Sequence, residues 1–431
     1  MNIVQIIPGS GGSFYCGNCL RDSKYVVALR DQGHDVTIIP MYLPIFADEH
    51  DLKEIPVFYG AVSIYLKQLY PIFRRAPHWV DQLLNSKPLL KMAASMAGST
   101  NAKGLEEMTV SMLLGEDGKQ QEELERLVDW MTMHCKPDVV HISNALLLGL
   151  AHRVKERLNV PIICSLQDED VWVDAMKPVF RDRIWNLMSE KAKDVDLFIA
   201  VSDYFSKVMQ ERMKLPGEKV RNIYLGVDPT DYLFIPTNDK GRNIGYISRM
   251  CHENGFDIFV DAFIQLKKRT GFEDVKLIAT GGSTGADTKY IKEIWNKLIK
   301  EKLNREVEFI EDFVETGRKA FFSKVSIVSV PVRNGEAFGM YLLESMASGV
   351  PVVQPALGAF PEIVNRSGGG IVYQPNTPEA LCEALVSLLS DHEKLNSLSE
   401  NARKGVEIQF NIQDHTNEMI NVYQSLQMSH D

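Results

Sequence analysis

Short β-rich runs, several of them apolar throughout instead of alternating, recur in the first half of the chain at Asn2 to Ile7, Asp35 to Ile39, Asp138 to Ile142, Pro161 to Leu166 and Asp196 to Val201. Strands apolar on both faces are strands covered by helices on both sides. Because these runs alternate with helical segments, this half is expected to be a parallel α/β sheet. The stretch from Gly226 to Gly241 is dense in turn formers and has no period, which puts a domain boundary inside it. A second α/β series follows, with strands expected at Asn243 to Ser248, Val275 to Thr280, Val307 to Ile310, Val325 to Val330 and Pro351 to Gln354. Between them, Phe256, Phe259, Val260, Phe263 and Leu266 recur at helical spacing, and so do Leu381, Ala384, Leu385, Leu388 and Leu389 behind a Thr377-Pro378 start. Two α/β domains are expected, 1–235 and 236–410, with a C-terminal helix over 411–431 packing back on the first.

The 431 residues allow two or three domains with cores of their own, and 45% hydrophobic against 24% charged residues is ordinary globular usage. The formal net charge of −10 argues against a general binder of phosphate backbones, so no nucleic acid partner is expected. The chain runs from Met1 straight into an apolar segment with neither a basic lead nor a small-residue cleavage site, so no secretory signal is expected. Its longest apolar stretches, such as Val36 to Phe46, are broken by Pro40 and Pro44, far short of the roughly 20 residues a membrane span needs. Six scattered cysteines fit a reducing compartment, and the expected location is cytoplasmic. Cys16 and Cys19 stand in a C-x-x-C spacing with no second such pair, which makes them packed thiols in preference to half of a zinc site, and no metal is expected. Residues 61–103 form a basic insert in this acidic chain: Lys67, Arg74, Arg75, Lys87, Lys91 and Lys103 face Asp81 alone, interleaved with Tyr65, Tyr70, Phe73 and Trp79. Such a segment is either a solvated helical subdomain or a surface that lies on an anionic inner-membrane face or receives an acidic acceptor.

Two segments carry candidate chemistry. Gly9-Ser10-Gly11-Gly12 follows the first strand and precedes a helix, where glycines let backbone amides approach a phosphate. A dinucleotide fingerprint is absent, since Phe14 stands where its third glycine would be and the second strand ends at Ile39-Pro40 without a ribose-binding acid. Hydride chemistry loses support accordingly. The segment from Arg333 to Val353 joins a buried strand to a helix expected to begin near Phe338, with Glu336 before the turn and Glu344 within the helix. This arrangement suits an extended anionic ligand. One carboxylate accepts from sugar hydroxyls, helix-start amides hold a diphosphate, and the second carboxylate accepts from ribose hydroxyls. A cap and a surface charge would give the same spacing.

The run Glu336-Ala-Phe-Gly-Met-Tyr-Leu-Leu-Glu344, continued by Ser-Met-Ala-Ser-Gly349-Val-Pro-Val-Val, resembles the motif of the retaining glycosyltransferases of family 4. Further landmarks agree in order and spacing: Gly33-His34-Asp-Val, Pro137-Asp-Val-Val-His141, Ala200-Val-Ser202, Leu225-Gly-Val-Asp228, Gly245-Tyr-Ile-Ser-Arg249, Gly255-Phe-Asp257 and Gly358-Ala-Phe-Pro-Glu362. The resemblance implies a GT-B architecture, two Rossmann-like domains facing across a cleft. It also implies a nucleotide-sugar donor held mainly by the C-terminal domain, a saccharide or lipid-linked acceptor, transfer with retention, and neither metal nor cofactor. By the same resemblance Glu336 is the catalytic contact to the donor sugar and Glu344 holds the ribose. Phe338, Gly339 and Met340 offer amides to the diphosphate, Arg249 binds the phosphates, and Gly11 and Gly12 close that pocket. Three positions depart from the pattern. Asn254 stands where a lysine is usual, leaving Arg242 and Arg333 as candidate replacements; Gln167 and Asp168 occupy the acceptor side where a histidine is common; and Leu225 replaces an asparagine. Asn254 and Gln167 keep open a nonenzymatic nucleotide-sugar binder, and the fold keeps open a GT-B sugar-nucleotide epimerase.

Overall fold

A computed structural model of the chain describes residues 1–8, 15, 17–41, 104–237 and 240–430. The basic insert 61–103, the Gly11-Gly12 turn, Cys16 and the side chain of Cys19 lie outside the described residues. The apolar runs of the first half become strands β1 (Asn2–Ile7), β2 (Asp35–Pro40), β3 (Val139–Ile142), β4 (Ile162–Leu166) and β5 (Leu197–Ala200), joined by β6 (Val220–Asn222). All pair in parallel, in the order β2-β1-β3-β4-β5-β6. Every position of β3, β4 and β5 is buried, whereas β6 at the sheet edge leaves Arg221 and Asn222 exposed. The continuous apolar runs are thus the interior strands, as helical cover on both faces requires.

The second half repeats the plan with β7 (Ile244–Ile247), β8 (Leu277–Thr280), β9 (Val307–Ile310), β10 (Ile327–Val328), β11 (Val352–Pro355) and β12 (Gly370–Tyr373), ordered β12-β11-β10-β7-β8-β9 and again parallel. The helices that bear on the site are α1 (Gly17–Asp31), α2 (Glu169–Asp174), α3 (Phe256–Lys267), α4 (Glu315–Lys324), α5 (Met340–Ala347), α6 (Phe360–Ser367) and α7 (Ile412–His430). In each sheet the chain winds outward in both directions from a pair of central strands, β1 and β3 in the first and β7 and β10 in the second. Loops at the carboxyl ends of such a pair depart to opposite sides, which leaves the place where open α/β sheets receive ligands.

The described residues fall into two compact units, the first within Met1–Gly12, Asn18–Tyr224 and Thr416–Asp431, the second within Ser13–Gly17 and Leu225–His415. The division at 224/225 precedes the 235/236 boundary read from the turn-rich stretch. The reason is local: Val227 already belongs to the second unit, its amide donating to the Phe410 carbonyl at 3.0 Å while its carbonyl accepts from the Ile412 amide at 3.1 Å. From Thr416 onward α7 belongs to the first unit, and there Tyr423 meets the β3 residue His141.

The His141 ring is buried, with Nδ1 2.7 Å from Tyr423 Oη and Nε2 2.8 Å from Ser165 Oγ. Burial, helped by the Arg21 charge, pushes its pKa down to about 3 from an ordinary value of 6.5. The folded protein therefore refuses a proton that the unfolded chain accepts. The stability this ring contributes is complete above pH 6.5 and is lost as the pH falls from there toward 3. Between pH 7 and pH 5 the loss from this one group is about 2 kcal/mol. Urea unfolding of the wild type and His141→Gln at those two pH values should show a smaller pH-dependent loss in the variant by that amount; equal losses would remove His141 from the account.

Candidate active site

At the carboxyl end of β7 the loop from Ser248 to Gly255 leads into α3. Arg249 stands on it, and its guanidinium is gripped by Asp287 at both ends, Nε to Oδ2 at 2.8 Å and Nη2 to Oδ1 at 2.9 Å, with Thr284 Oγ1 3.1 Å from Nη2. Asp287 also accepts from the Thr284 amide and hydroxyl, each at 2.7 Å. Burial raises the Asp287 carboxyl, but the guanidinium and these donors outweigh it and hold the group below the ordinary carboxylate range. Arg249 is thus a fixed cation, as bidentate pairing favours.

Asn254 supplies no charge. Its Nδ2 donates to Ser248 Oγ at 2.8 Å and to the Arg249 carbonyl at 3.4 Å, while the Tyr246 hydroxyl donates to the carbonyls of Arg249 at 3.0 Å and Asn254 at 3.3 Å. An amide thereby closes the loop on itself where the family pattern has a lysine. Of the two candidate replacements, Arg242 is ruled out by position: it precedes β7, at the strand's opposite end from Arg249, and is paired with Asp274. Arg333 lies at the right end, donating from Nε to the His252 carbonyl at 2.9 Å and from Nη2 to Asp257 at 2.5 Å.

The loop after β10 is pressed against its neighbours. Gly255 has a φ of +69°, and a Cβ there would lie 2.0 Å from the Pro331 carbonyl oxygen. Gly358, with a φ of +58°, approaches so closely that its Cβ would sit 2.6 Å from both the amide and the carbonyl oxygen of Glu336. The Glu336 carbonyl accepts from the Ala359 amide at 3.0 Å. The loop after β11 therefore fixes the backbone of Glu336, and the loop after β7 abuts the same β10 loop at Pro331 and Arg333. Its carboxylate rests on the turn ahead: a Cβ on Gly339 would be 3.1 Å from Glu336 Oε2. Beside it lies Tyr341, whose phenol is held well above its ordinary range by burial and then by the Glu336 charge.

α5 begins at Met340, two residues later than expected at Phe338, because Gly339 takes a left-handed φ of +94° that a helix cannot include. The Phe338 ring is buried and faces Phe410 at a centroid distance of 6.1 Å, so its side chain is part of the core. Every residue of α5 is buried, Glu344 included. Both Glu344 oxygens are taken: Oε1 accepts from Arg318 Nε at 2.8 Å and Tyr232 Oη at 3.1 Å, and Oε2 from Tyr15 Oη at 2.6 Å. Instead of standing open to a ribose, Glu344 is the centre of a buried polar cluster. Arg318, Tyr232 and Asp287 went unmarked in the sequence because no motif surrounds them, and Tyr15, although it stands between the Gly9–Gly12 turn and Cys16, because nothing local points from it to Glu344.

In the first unit the carboxyl end of β4 carries Gln167 and Asp168. The Gln167 side chain is buried and donates to the Ser143 carbonyl. Asp168 is half-buried, has a φ of +56° unusual for a residue other than glycine, and accepts from Asn18 Nδ2 at 3.4 Å. Glu169 behind them is fully buried, joins the two loops by accepting from the amides of Ala145 at 2.9 Å and Gln167 at 2.6 Å, and is pushed up to about 8 by burial. Of the expected acceptor-side pair, Asp168 keeps an exposed face and Gln167 is spent on the scaffold. Arg249, Asn254, Glu336, Phe338, Gly339, Met340 and Glu344 thus gather in the second unit, at the switch between β7 and β10 and on the helix that follows it. Cys135, Cys164, Cys251 and Cys382 are free thiols, and no three metal-binding side chains converge among the described residues.

Comparison with known proteins bears on the family and the fold. The family model for glycosyl transferases group 1 matches residues 241–391 and that for glycosyltransferase family 4 matches 118–231, together more than half of the chain. An uncharacterized glycosyltransferase of Methanocaldococcus jannaschii is 28% identical over 62% of this chain and 70% of its own length. A lipopolysaccharide core biosynthesis mannosyltransferase of Rhizobium meliloti is 28% identical over 47% of this chain and 54% of its own. Among solved structures, sucrose-phosphate synthase from Thermosynechococcus elongatus superposes with a TM-score of 0.72 at 17% identity over 99% of both chains. Anabaena HepE in complex with UDP does so with a TM-score of 0.68 at 17% identity, over 99% of this chain and 100% of its own. With family motifs, fold and relatives in agreement, the chain is a GT-B glycosyltransferase of the family 4 type.

Proposed function

We propose that this glycosyltransferase moves a sugar from a nucleoside-diphosphate sugar to a hydroxyl of a saccharide or lipid-linked acceptor, with retention of configuration and without a resident metal or cofactor. The observation that carries the reading is Glu336, clamped by the Gly358 turn with its carboxylate over the residue that precedes α5. A carboxylate there accepts from donor-sugar hydroxyls, while the first amides of α5, which have no intrahelical acceptor, face the diphosphate with the positive end of the helix dipole. Arg249 and Arg333 add positive charge beside the same loops. In the step itself the C1–oxygen bond to the diphosphate breaks and the diphosphate takes the electron pair. The acceptor oxygen bonds C1 on the same face, and its proton passes to the departing phosphate. The surrounding donors act by stabilising charge that develops on the leaving group. On the acceptor side, Asp168 orients the attacking hydroxyl. Support for a sugar nucleotide also comes from the Anabaena fold neighbour, solved with UDP and with UDP-glucose, and from relatives named as a mannosyltransferase and D-inositol 3-phosphate glycosyltransferases.

Thermal unfolding with millimolar UDP, GDP and ADP and their common sugar conjugates tests the donor. Ligand at 100 times its Kd adds about 2.7 kcal/mol, so one nucleotide should raise Tm by several degrees and the others should not. Glu336→Gln keeps the shape but removes the charge: turnover should fall about 100-fold or more with little change in donor KM. Wild-type turnover in that variant would take Glu336 out of the chemistry. The anomeric configuration of the product, read by NMR, checks retention directly, and an inverted product would overturn it.

A further inference from the structure

Glu344 has no solvent exposure, and a carboxylate in that position must be neutralised and hydrogen-bonded. Arg318, itself 5% exposed, does both through Oε1, and its Nη1 is anchored on the Phe313 carbonyl at 3.0 Å. Tyr232 adds a second donor to the same oxygen. Oε2 takes its donor from a part of the chain far off in sequence: Tyr15, on the short segment between β1 and α1 that belongs to the second unit, donates its hydroxyl to Oε2 and its amide to the Gly281 carbonyl at 2.9 Å, with its ring 5.9 Å from the Arg318 guanidinium. The charge of Glu344 is thus balanced at Oε1 by Arg318, and Oε2 is completed by a neutral hydroxyl from the short Ser13–Gly17 segment of the same unit. Glu344 lies four residues into the helix whose start faces the proposed diphosphate, about 6 Å along the axis at 1.5 Å per residue, the reach from a diphosphate to its ribose.

From this we propose that the Tyr15 hydroxyl occupies on Glu344 Oε2 the place of a ribose hydroxyl of the donor, and that nucleotide binding exchanges the one for the other while Arg318 and Tyr232 keep Oε1. The inference rests on the donor site proposed above. The two donors are chemically equivalent at this oxygen, each an O–H pointing at a carboxylate. In the free protein the buried oxygen is therefore never left without a partner. The ribose gains only the difference between two similar bonds, so its hydroxyls add little affinity as long as Tyr15 competes.

Tyr15→Phe keeps the ring and removes the competing hydroxyl. Calorimetric titration of wild type, Tyr15→Phe and Tyr232→Phe with UDP, GDP and ADP and with their 2′,3′-dideoxy counterparts reads the exchange. Whichever ribonucleotide the wild type binds should bind Tyr15→Phe about tenfold more tightly, the worth of one hydrogen bond to a charged acceptor. The matching dideoxynucleotide should bind both proteins equally. Tyr232→Phe, which alters the oxygen that stays occupied, should not tighten either ligand. Unchanged or weaker ribonucleotide binding by Tyr15→Phe, or equal tightening of the dideoxy form, overturns the exchange while leaving the donor site standing. Failure of the wild type to bind any of the six overturns the donor site and the exchange with it.

Discussion

A parallel sheet that winds outward from two central strands has one position where neighbouring loops leave in opposite directions, and in the second unit everything chemically notable is arranged around it. β7 and β10 are those strands. The loop after β7 brings Arg249, the loop after β10 brings Glu336, and the loop after β11 presses on Glu336 through Gly358. None of these side chains would be held without the close contact of the loops, because a loop on its own has no reason to fix a carboxylate. The glycines are the physical device. At Gly255 and Gly358 a methyl group would collide with neighbouring backbone, so one loop's conformation becomes a condition of the next.

Charge is handled by the same logic of mutual restraint. Arg249 is straddled by Asp287, Arg333 is paired with Asp257, and Arg318 with Glu344. Each of these three cations is therefore already oriented, and orienting a cation in advance is what lets a fixed group stabilise developing charge without reorganising at the moment of reaction. The pairs differ in depth. Arg249 and Arg333 keep about a third of their side-chain surface in solvent and can share their charge with an anion, whereas Arg318 is enclosed and can serve only Glu344.

The sequence made the fold legible wherever a β-rich run marks a strand. β1, inside its sheet, and β9, at an edge, have the bounds their runs predict, and the other strands expected differ by a residue or two at their ends. β6 and β12 escaped notice for local reasons: β6 is three residues long and largely exposed, and β12 follows directly on glycines, so neither carries a continuous apolar run. The late start of α5 was hidden in the backbone, since Gly339 looks like any glycine in a helix-start motif until its φ is known. The site divides in the same way. Glu336, Glu344 and Arg249 belong to local motifs with recognisable spacing. The partners that decide what those residues can do are distant in sequence: Asp287 is 38 residues from Arg249, Tyr232 is 112 from Glu344, and Tyr15 is 329 from it. Periodicity and motif spacing report on neighbours along the chain, and carry nothing about such pairs.

Asn254 shows how a departure from a family pattern is absorbed. A lysine at this position would bring a mobile ammonium group to the phosphates. Asn254 instead spends its amide on Ser248 and on the Arg249 carbonyl, so that what the loop loses in charge it gains in rigidity around the cation that remains. Tyr246 donates to the same Arg249 carbonyl and to that of Asn254. At this end of the sheet Arg249 and Arg333 then offer positive charge, each with a planar fork suited to phosphate oxygens and each already paired with a carboxylate. A diphosphate entering here would meet fewer free cations than the family pattern supplies and better-placed ones. It would lean correspondingly more on the amides at the start of α5, beside which the Glu336 carboxylate already rests.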